Sequence, residues 1–376
     1  MNTCSERWPP EPTEQPMRRI AILRALYLGD LLCAVPAFRA LRRRFPTARI
    51  DLIGLPWAED FVERLPYLDR LIEFPGYPGL NEVPLDAGRT AAFFAYLRGK
   101  YDLALQMHGD GRASNGFVAA LGAKVSVGYA RDAAHDLPRD SASSARRFNV
   151  GEGYARGAAH ELTHSLPWQD NEHEIRRWLR LAAAVGAPSD DLKLEFPIAP
   201  HERRAAGELL KAGSGPLIGV HAGSKDPGRR WPAARFAAVA GDLVRQTGAS
   251  IVLTGTAGER ELTAQIVARV PGALDLAGRT DLGLFAAVVE RLDLLITNDT
   301  GAAHMAAATG TPSVVLFGPG RPAEWGPLDR SRHRVVDALN WSADPQTALQ
   351  QLPLEPVWRE ALHSLASTAG VGDAPA

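Results

Sequence analysis

The 376-residue chain has two cysteines, Cys4 and Cys33. Neither has a metal-like spacing or an evident disulfide partner, so a disulfide framework and a thiolate metal centre are excluded and a reducing compartment is expected. Lysine is also scarce: five of the 42 basic residues are Lys and the rest Arg, a bias of genome composition rather than of function. An excess of one charge is missing, because 42 basic against 43 acidic residues leave a formal net charge of −1. No overall field then favours nucleic acid. No apolar run approaches the ~20 residues that a membrane-crossing helix needs. Residues 1–16 carry Glu and Pro and no apolar h-region, so they are not a signal peptide. They read as a disordered extension, with Met17 an alternative start, and the protein is expected to be cytoplasmic, with any membrane contact peripheral.

Several chemistries are missing too. There is no Gly-x-Gly-x-x-Gly after the first strand, which disfavours a dinucleotide-dependent oxidoreductase. No Walker-type phosphate loop, no Gly-x-Ser-x-Gly elbow and no zinc-ligand cluster is found. No Asp-x-Asp pair follows a strand, as a metal-dependent sugar transferase would need to hold a divalent ion.

What is present is alternation. Apolar runs at 19–23, 50–54, 71–74, 103–107 and 125–129 read as strands, with helical patterns between them at 91–99 and 114–121 and through Leu31, Val35, Phe38 and Leu41. Residues 131–170 lose the pattern and suggest a flap or disordered loop over an acceptor. A helix over 172–185 ends at Gly186, a C′ residue, and residues 188–200 read as a linker. The second half repeats the scheme, with strands at 217–221, 250–254, 274–276, 294–297 and 313–317 and helices at 233–246, 259–270, 282–291 and 302–309. The fold class is therefore α/β, two Rossmann-like, doubly wound parallel-sheet domains facing a cleft. The expected division is an extension at 1–16, an acceptor-binding domain at 17–190, a donor-binding domain at 200–355 and a C-terminal helix and tail at 356–376. Ligands of such sheets lie at the carboxyl ends of the strands.

Three turns of the second half are suited to a nucleoside diphosphate. Asn298-Asp299-Thr300-Gly301-Ala302-Ala303-His304 follows a strand and opens a helix. Thr300 can cap it, Gly301 lets a ligand approach the backbone, and the free N–H groups of the turn, with Ala302 among its donor-binding candidates, suit a pyrophosphate. His304 lies on the face of Thr300, within reach of a sugar. The plainer alternative is an ordinary capped helix with a satisfied histidine. His221-Ala222-Gly223-Ser224 is a second such turn, followed by Lys225, Arg229 and Arg230. A guanidinium there can stabilise a departing nucleotide diphosphate, or the run is a solvated basic loop. In the third turn, Glu259 suits a ribose hydroxyl, or serves its own helix's first turn. In the first half, Asp30 in Leu28-Gly29-Asp30 is placed to act as a general base on an acceptor hydroxyl, or to cap its helix. His108 and Asn115 follow the fourth strand and could line an acceptor, or belong to a polar loop.

Together these residues resemble glycosyltransferase family 9, the ADP-heptose:lipopolysaccharide heptosyltransferases. The resemblance runs from about residue 18 to 328. It is carried by Arg19-Ile20-Ala21-Ile22-Leu23-Arg24-Ala25-Leu26-Tyr27-Leu28-Gly29-Asp30 with Pro36-Ala37, by His221-Ala222-Gly223-Ser224 and Arg230-Trp231-Pro232, and by Asn298-Asp299-Thr300-Gly301-Ala302-Ala303-His304 with Phe317-Gly318-Pro319. It implies a GT-B architecture and an inverting transfer without metal or cofactor. Asp30 would be the base, the loop at Asp299-Thr300-Gly301 would hold the donor pyrophosphate and sugar with His304 beside them, and Glu259 would meet the ribose. Where the family usually has Lys two residues before Trp-Pro, this chain has Arg229, so Lys225 could share the leaving-group role. The implied partners are a nucleotide sugar, ADP-heptose, and a glycolipid or oligosaccharide acceptor at the inner membrane face. A GT-B nucleotide-sugar epimerase and a non-catalytic nucleotide-sugar-binding protein are the competing readings.

Overall fold

The computed structural model describes residues 17–131, 162–210 and 215–369. The expected extension at 1–16 and most of the expected flap, 132–161, lie outside them. The described residues form two six-stranded sheets. The first contains β1 (Arg19–Leu23), β2 (Arg49–Gly54), β3 (Arg70–Glu73), β4 (Leu103–Gln106), β5 (Val125–Ala130) and β6 (His164–Pro167). The second contains β7 (Leu217–His221), β8 (Ser250–Leu253), β9 (Leu274–Asp275), β10 (Leu294–Asn298), β11 (Ser313–Phe317) and β12 (His333–Asp337).

The spatial orders are β3-β2-β1-β4-β5-β6 and β12-β11-β10-β7-β8-β9. Every pairing is parallel. Read from its own first strand, each sheet has the dinucleotide-fold order 3-2-1-4-5-6. The order reverses between β1 and β4 in one and between β7 and β10 in the other, where Thr297 lies opposite His221. Central strands are buried throughout because helices cover both faces of such a sheet: β10 and β11 are buried at every residue. The second core joins Ile218, Ile251, Ile296 and Leu316 of the strands to Trp231, Phe236 and Leu243 of the helix Ala233–Thr247 and its approach.

Two edge strands escaped the sequence reading. β6 lies in the stretch expected to be patternless, and its four residues alternate between half-buried and exposed. β12 is only partly buried. Both lack the continuous apolar run that marks an interior strand. Pro200, read as the end of a linker, is the first residue of the helix Pro200–Leu209, a position that needs no N–H donor. Gly186 has φ +80°, as a C′ residue should.

The chain forms two compact units that are not contiguous in sequence: Tyr27–Pro36 and Asn171–Arg177 group with Asp190–Ala376, and the remainder forms the first unit. Asp30, expected in the acceptor domain, therefore belongs to the unit that carries the three ligand-like turns. Among the described residues no helix is long and apolar enough to cross a membrane.

Candidate functional site

The second sheet's switch point sets two loops side by side, 221–231 after β7 and 298–304 after β10. Asn298 ties them together. Its fully buried amide accepts from the Trp231 N–H at 3.0 Å and donates to the Ala222 carbonyl at 2.9 Å. Asn298 is expected against the donor; in the structure its amide bonds protein backbone on both sides and fixes the loops. Asn298→Ala would strand a buried donor and a buried acceptor, and should cost roughly 2–4 kcal/mol of stability, read from urea unfolding midpoints.

The cap expected at Thr300 is present: Thr300 is extended, and its Oγ1 accepts from the Ala302 N–H at 3.3 Å. The amides of Thr300 and Gly301 donate to none of the described residues, and the same holds for Gly223, Ser224 and Lys225. Unspent N–H groups at the start of the nine-residue helix Gly301–Thr309, beside a glycine turn, form an anion cradle. Ser224 is buried, and its carbonyl accepts two bonds from the Arg230 guanidinium, at 2.8 and 2.5 Å, so Arg230 shapes the loop. Arg229 points the other way, with Nη1 3.4 Å from Asp299 Oδ2 and 42% of its side chain exposed. Lys225 meets the phenol of Tyr27, its Nζ lying 4.1 Å from that ring's centroid. Arg229 is thus the cation presented to the cradle, and Lys225 is held at its rim.

Glu259 closes the third turn. One carboxylate oxygen, Oε2, accepts from the N–H and hydroxyl of Thr256, completing a capping box. The other lies against Gly223: a Cβ on Gly223 would come within 2.0 Å of Oε1. The helix-start alternative for Glu259 is therefore realised, with Oε1 left against the cradle backbone. His221 bonds through Nδ1 to Thr254 Oγ1 at 3.0 Å, and burial pushes its pKa down.

Residues 27–36 bring Asp30 to this cradle. Asp30 Oδ2 accepts from the Tyr27 N–H at 3.2 Å, the return bond of a helix start, in the first turn of the helix Leu28–Arg44. A Cβ on Gly301 would lie 3.1 Å from Leu28 Cβ, and one on Gly29 would lie 2.6 Å from His304 Cδ2. Gly29 is bare because the His304 ring fills the space a side chain would take. Asp299 is buried next to Gly320, whose Cβ would come within 2.4 Å of Oδ2. Burial pushes the Asp299 carboxyl up to about 6; the Arg229 charge opposes this and the Asp30 charge adds to it. The packing roles of Tyr27, Gly29 and Gly320 and the tying role of Asn298 are not legible in the sequence. The small residues beside Asp30 and after Phe317 were the signal.

His304 also lines a cavity of about 340 Å³ with His173, Trp325, Arg332 and His333. Burial holds His304 and His333 down to about 4 and lowers His173. These rings stay neutral in the fold while the unfolded chain protonates them near 6.5. Stability is therefore intact above pH 6.5 and is lost as pH falls toward 4, by on the order of 3 kcal/mol for each of His304 and His333. Asp299 has the opposite sign, its raised value returning stability as pH falls from about 6. Two histidines outweigh one carboxyl, so urea midpoints should fall between pH 6.5 and 4.5, and because Asp299 offsets about one histidine, His333→Asn should remove most of the drop.

His108 and Asn115 lie in the other unit. His108 Nδ1 accepts from the Ala25 N–H at 3.3 Å, and its Nε2 lies 3.3 Å from Glu82 Oε1. Asn115 donates to the Tyr129 carbonyl at 2.8 Å, and its buried Oδ1 has no partner among the described residues. Both sit at the carboxyl side of β4, but neither is in the unit that holds Asp30. Among the described residues no group of three or more His, Cys, Asp or Glu is placed to hold a metal ion.

Two dinucleotide-order sheets in one chain, the second with an anion cradle at its switch point, are the GT-B architecture. The chain belongs to glycosyltransferase family 9 (heptosyltransferase), whose model matches residues 90–351. It is similar to lipooligosaccharide heptosyltransferase 2 of Haemophilus influenzae, 25% identical over 325 residues that span 82% of this chain and 86% of that protein. Its fold is shared with a family 9 glycosyltransferase from Veillonella parvula, with a TM-score of 0.70, 21% identity and coverage of 94% of this chain and 99% of the other. It is also shared with E. coli ADP-heptose LPS heptosyltransferase II, with a TM-score of 0.64, 21% identity and coverage of 92% and 99%.

Proposed function

We propose that this enzyme transfers heptose from ADP-heptose to a hydroxyl of a lipopolysaccharide-type glycolipid, with inversion and without a metal ion. The observation that carries the proposal is the packing of the Asp30 segment against a cradle of unspent amides. Family membership and the names of the similar enzymes supply the sugar and the nucleotide.

The cradle amides of residues 223–225 and 300–301 receive the pyrophosphate, and Glu259 Oε1 meets the ribose. His304 contacts the sugar, and Asp30 removes the acceptor proton as the hydroxyl attacks the anomeric carbon. As the bond to ADP breaks, negative charge grows on the β-phosphate, and Arg229 together with the helix end at Thr300 stabilises it. The reaction runs at the cytoplasmic face of the inner membrane, with peripheral contact to the glycolipid layer.

The test combines binding and turnover. ADP and ADP-heptose at tenfold over their dissociation constants should stabilise the protein by roughly 1.4 kcal/mol in thermal unfolding, with UDP- and GDP-sugars weaker. ADP should be released from ADP-heptose only when heptose-deficient lipopolysaccharide is added, and chelator should leave the rate unchanged. Conversion of the donor with no acceptor present, or a preference for uridine nucleotides, overturns the proposal.

A further inference from the structure

His304 is 93% buried by its 7% relative exposure, yet only one ring nitrogen has a partner among the described residues: Nδ1, at 3.5 Å from Cys33 Sγ. Cys33 itself is fully buried, one turn along the helix from Gly29. Three contacts fix the ring. Cys33 holds Nδ1, the Cδ2 edge rests on Gly29, and Trp325 meets the ring edge-on with centroids 6.2 Å apart. A thiol buried in apolar surroundings keeps its proton. Between a thiol and a neutral imidazole the stronger arrangement has S–H donating to nitrogen, because sulfur is a weak acceptor.

We infer that Cys33 is a positioning residue: its thiol donates to His304 Nδ1, selecting the tautomer in which Nε2 carries the proton and donates a hydrogen bond to the transferred sugar. This deepens the reading of the cradle as the donor site and rests on it. A neutral Nε2–H can bond a sugar hydroxyl without placing a full positive charge on the buried ring. Burial favours the same uncharged ring, pushing His304 down to about 4. Without the thiol, either nitrogen can carry the proton, and part of the population presents a bare acceptor to the sugar. Cys33 does not touch the reactants and acts only through His304.

The experiment uses the full chain labelled with ¹⁵N-histidine, with the His304 signals assigned by their loss in His304→Gln. Long-range ¹H–¹⁵N correlation in the wild type should show a protonated Nε2 and a bare Nδ1. Cys33→Ala should shift both nitrogens toward the average of the two tautomers. It should raise the KM for ADP-heptose about fivefold to tenfold while leaving the affinity for ADP, which lacks the sugar, unchanged. Cys33→Ser, whose hydroxyl can donate in the same place, should restore both. A wild-type spectrum with the proton on Nδ1, or a Cys33→Ala protein with an unaltered His304 spectrum, overturns the inference. If ADP-heptose proves not to be the substrate, the spectra still decide the tautomer, so the two readings fail separately.

Discussion

Asp30→Ala is expected to lower kcat for transfer by roughly 10²–10⁴-fold, the usual worth of a positioned general base, with the dissociation constant for ADP nearly unchanged. Alanine also removes the acceptor of the Tyr27 N–H, so a loss in that variant alone could reflect a frayed helix start. Asp30→Asn separates the two effects. Its amide oxygen still accepts from Tyr27, but it takes no proton from an acceptor hydroxyl, so it should lose as much activity as alanine while melting like the wild type. Near-normal turnover in the asparagine variant would remove the base assignment. Both variants also remove a negative charge that raises the Asp299 carboxyl, so that carboxyl should titrate below its present value of about 6.

Arg229→Ala should reduce kcat by roughly 10²–10³-fold, the range seen when one preorganised stabiliser of transition-state charge is deleted. The KM for the donor should rise less, because charge on the departing diphosphate is greatest in the transition state. Arg229→Lys should recover part of the rate, since the charge returns without the planar fork. Loss of the guanidinium also removes what holds the Asp299 carboxyl down, so the pKa near 6 should climb in Arg229→Ala. Arg230 supplies the contrast. It is folded onto the Ser224 carbonyl, and Arg230→Ala should act mainly on stability and donor affinity. Steady-state kinetics with separate kcat and KM values distinguish the two arginines, and equal kcat losses in both would remove Arg229's special role.

The interior of both sheets could be read from the chain because buried parallel strands write themselves as short apolar runs: Arg19–Leu23, Leu217–His221 and Ser313–Phe317 all fall where the runs predicted. One edge of each sheet could not. His164–Pro167 and His333–Asp337 mix polar and apolar residues because one side of an edge strand meets little of the core. At the site, the loops after β7 and β10 were found because glycine, a capping threonine and basic residues at a strand end have local meaning. Contacts between residues distant in sequence leave no such local mark. The Gly29–His304 contact joins positions 275 apart in sequence, and no periodicity reports it. Asn298 looked like part of a ligand loop, yet its partners are the backbones of Ala222 and Trp231. Glu259 suits two jobs in the sequence, and the structure shows the helix-start one, through Oε2.

The grouping of Tyr27–Pro36 with the second unit bears on how this enzyme can be dissected. A fragment beginning near residue 190 would keep the whole second sheet but lose the ten-residue stretch that covers Gly301 and seats the His304 imidazole. Apolar surface on the helix start would then meet water, and the anion cradle would open on a face that the intact chain keeps covered. Such a fragment is a truncated unit rather than a smaller donor-binding protein. Its missing piece is more than 150 residues away in sequence, so the cradle is complete only when two distant stretches of the chain have come together.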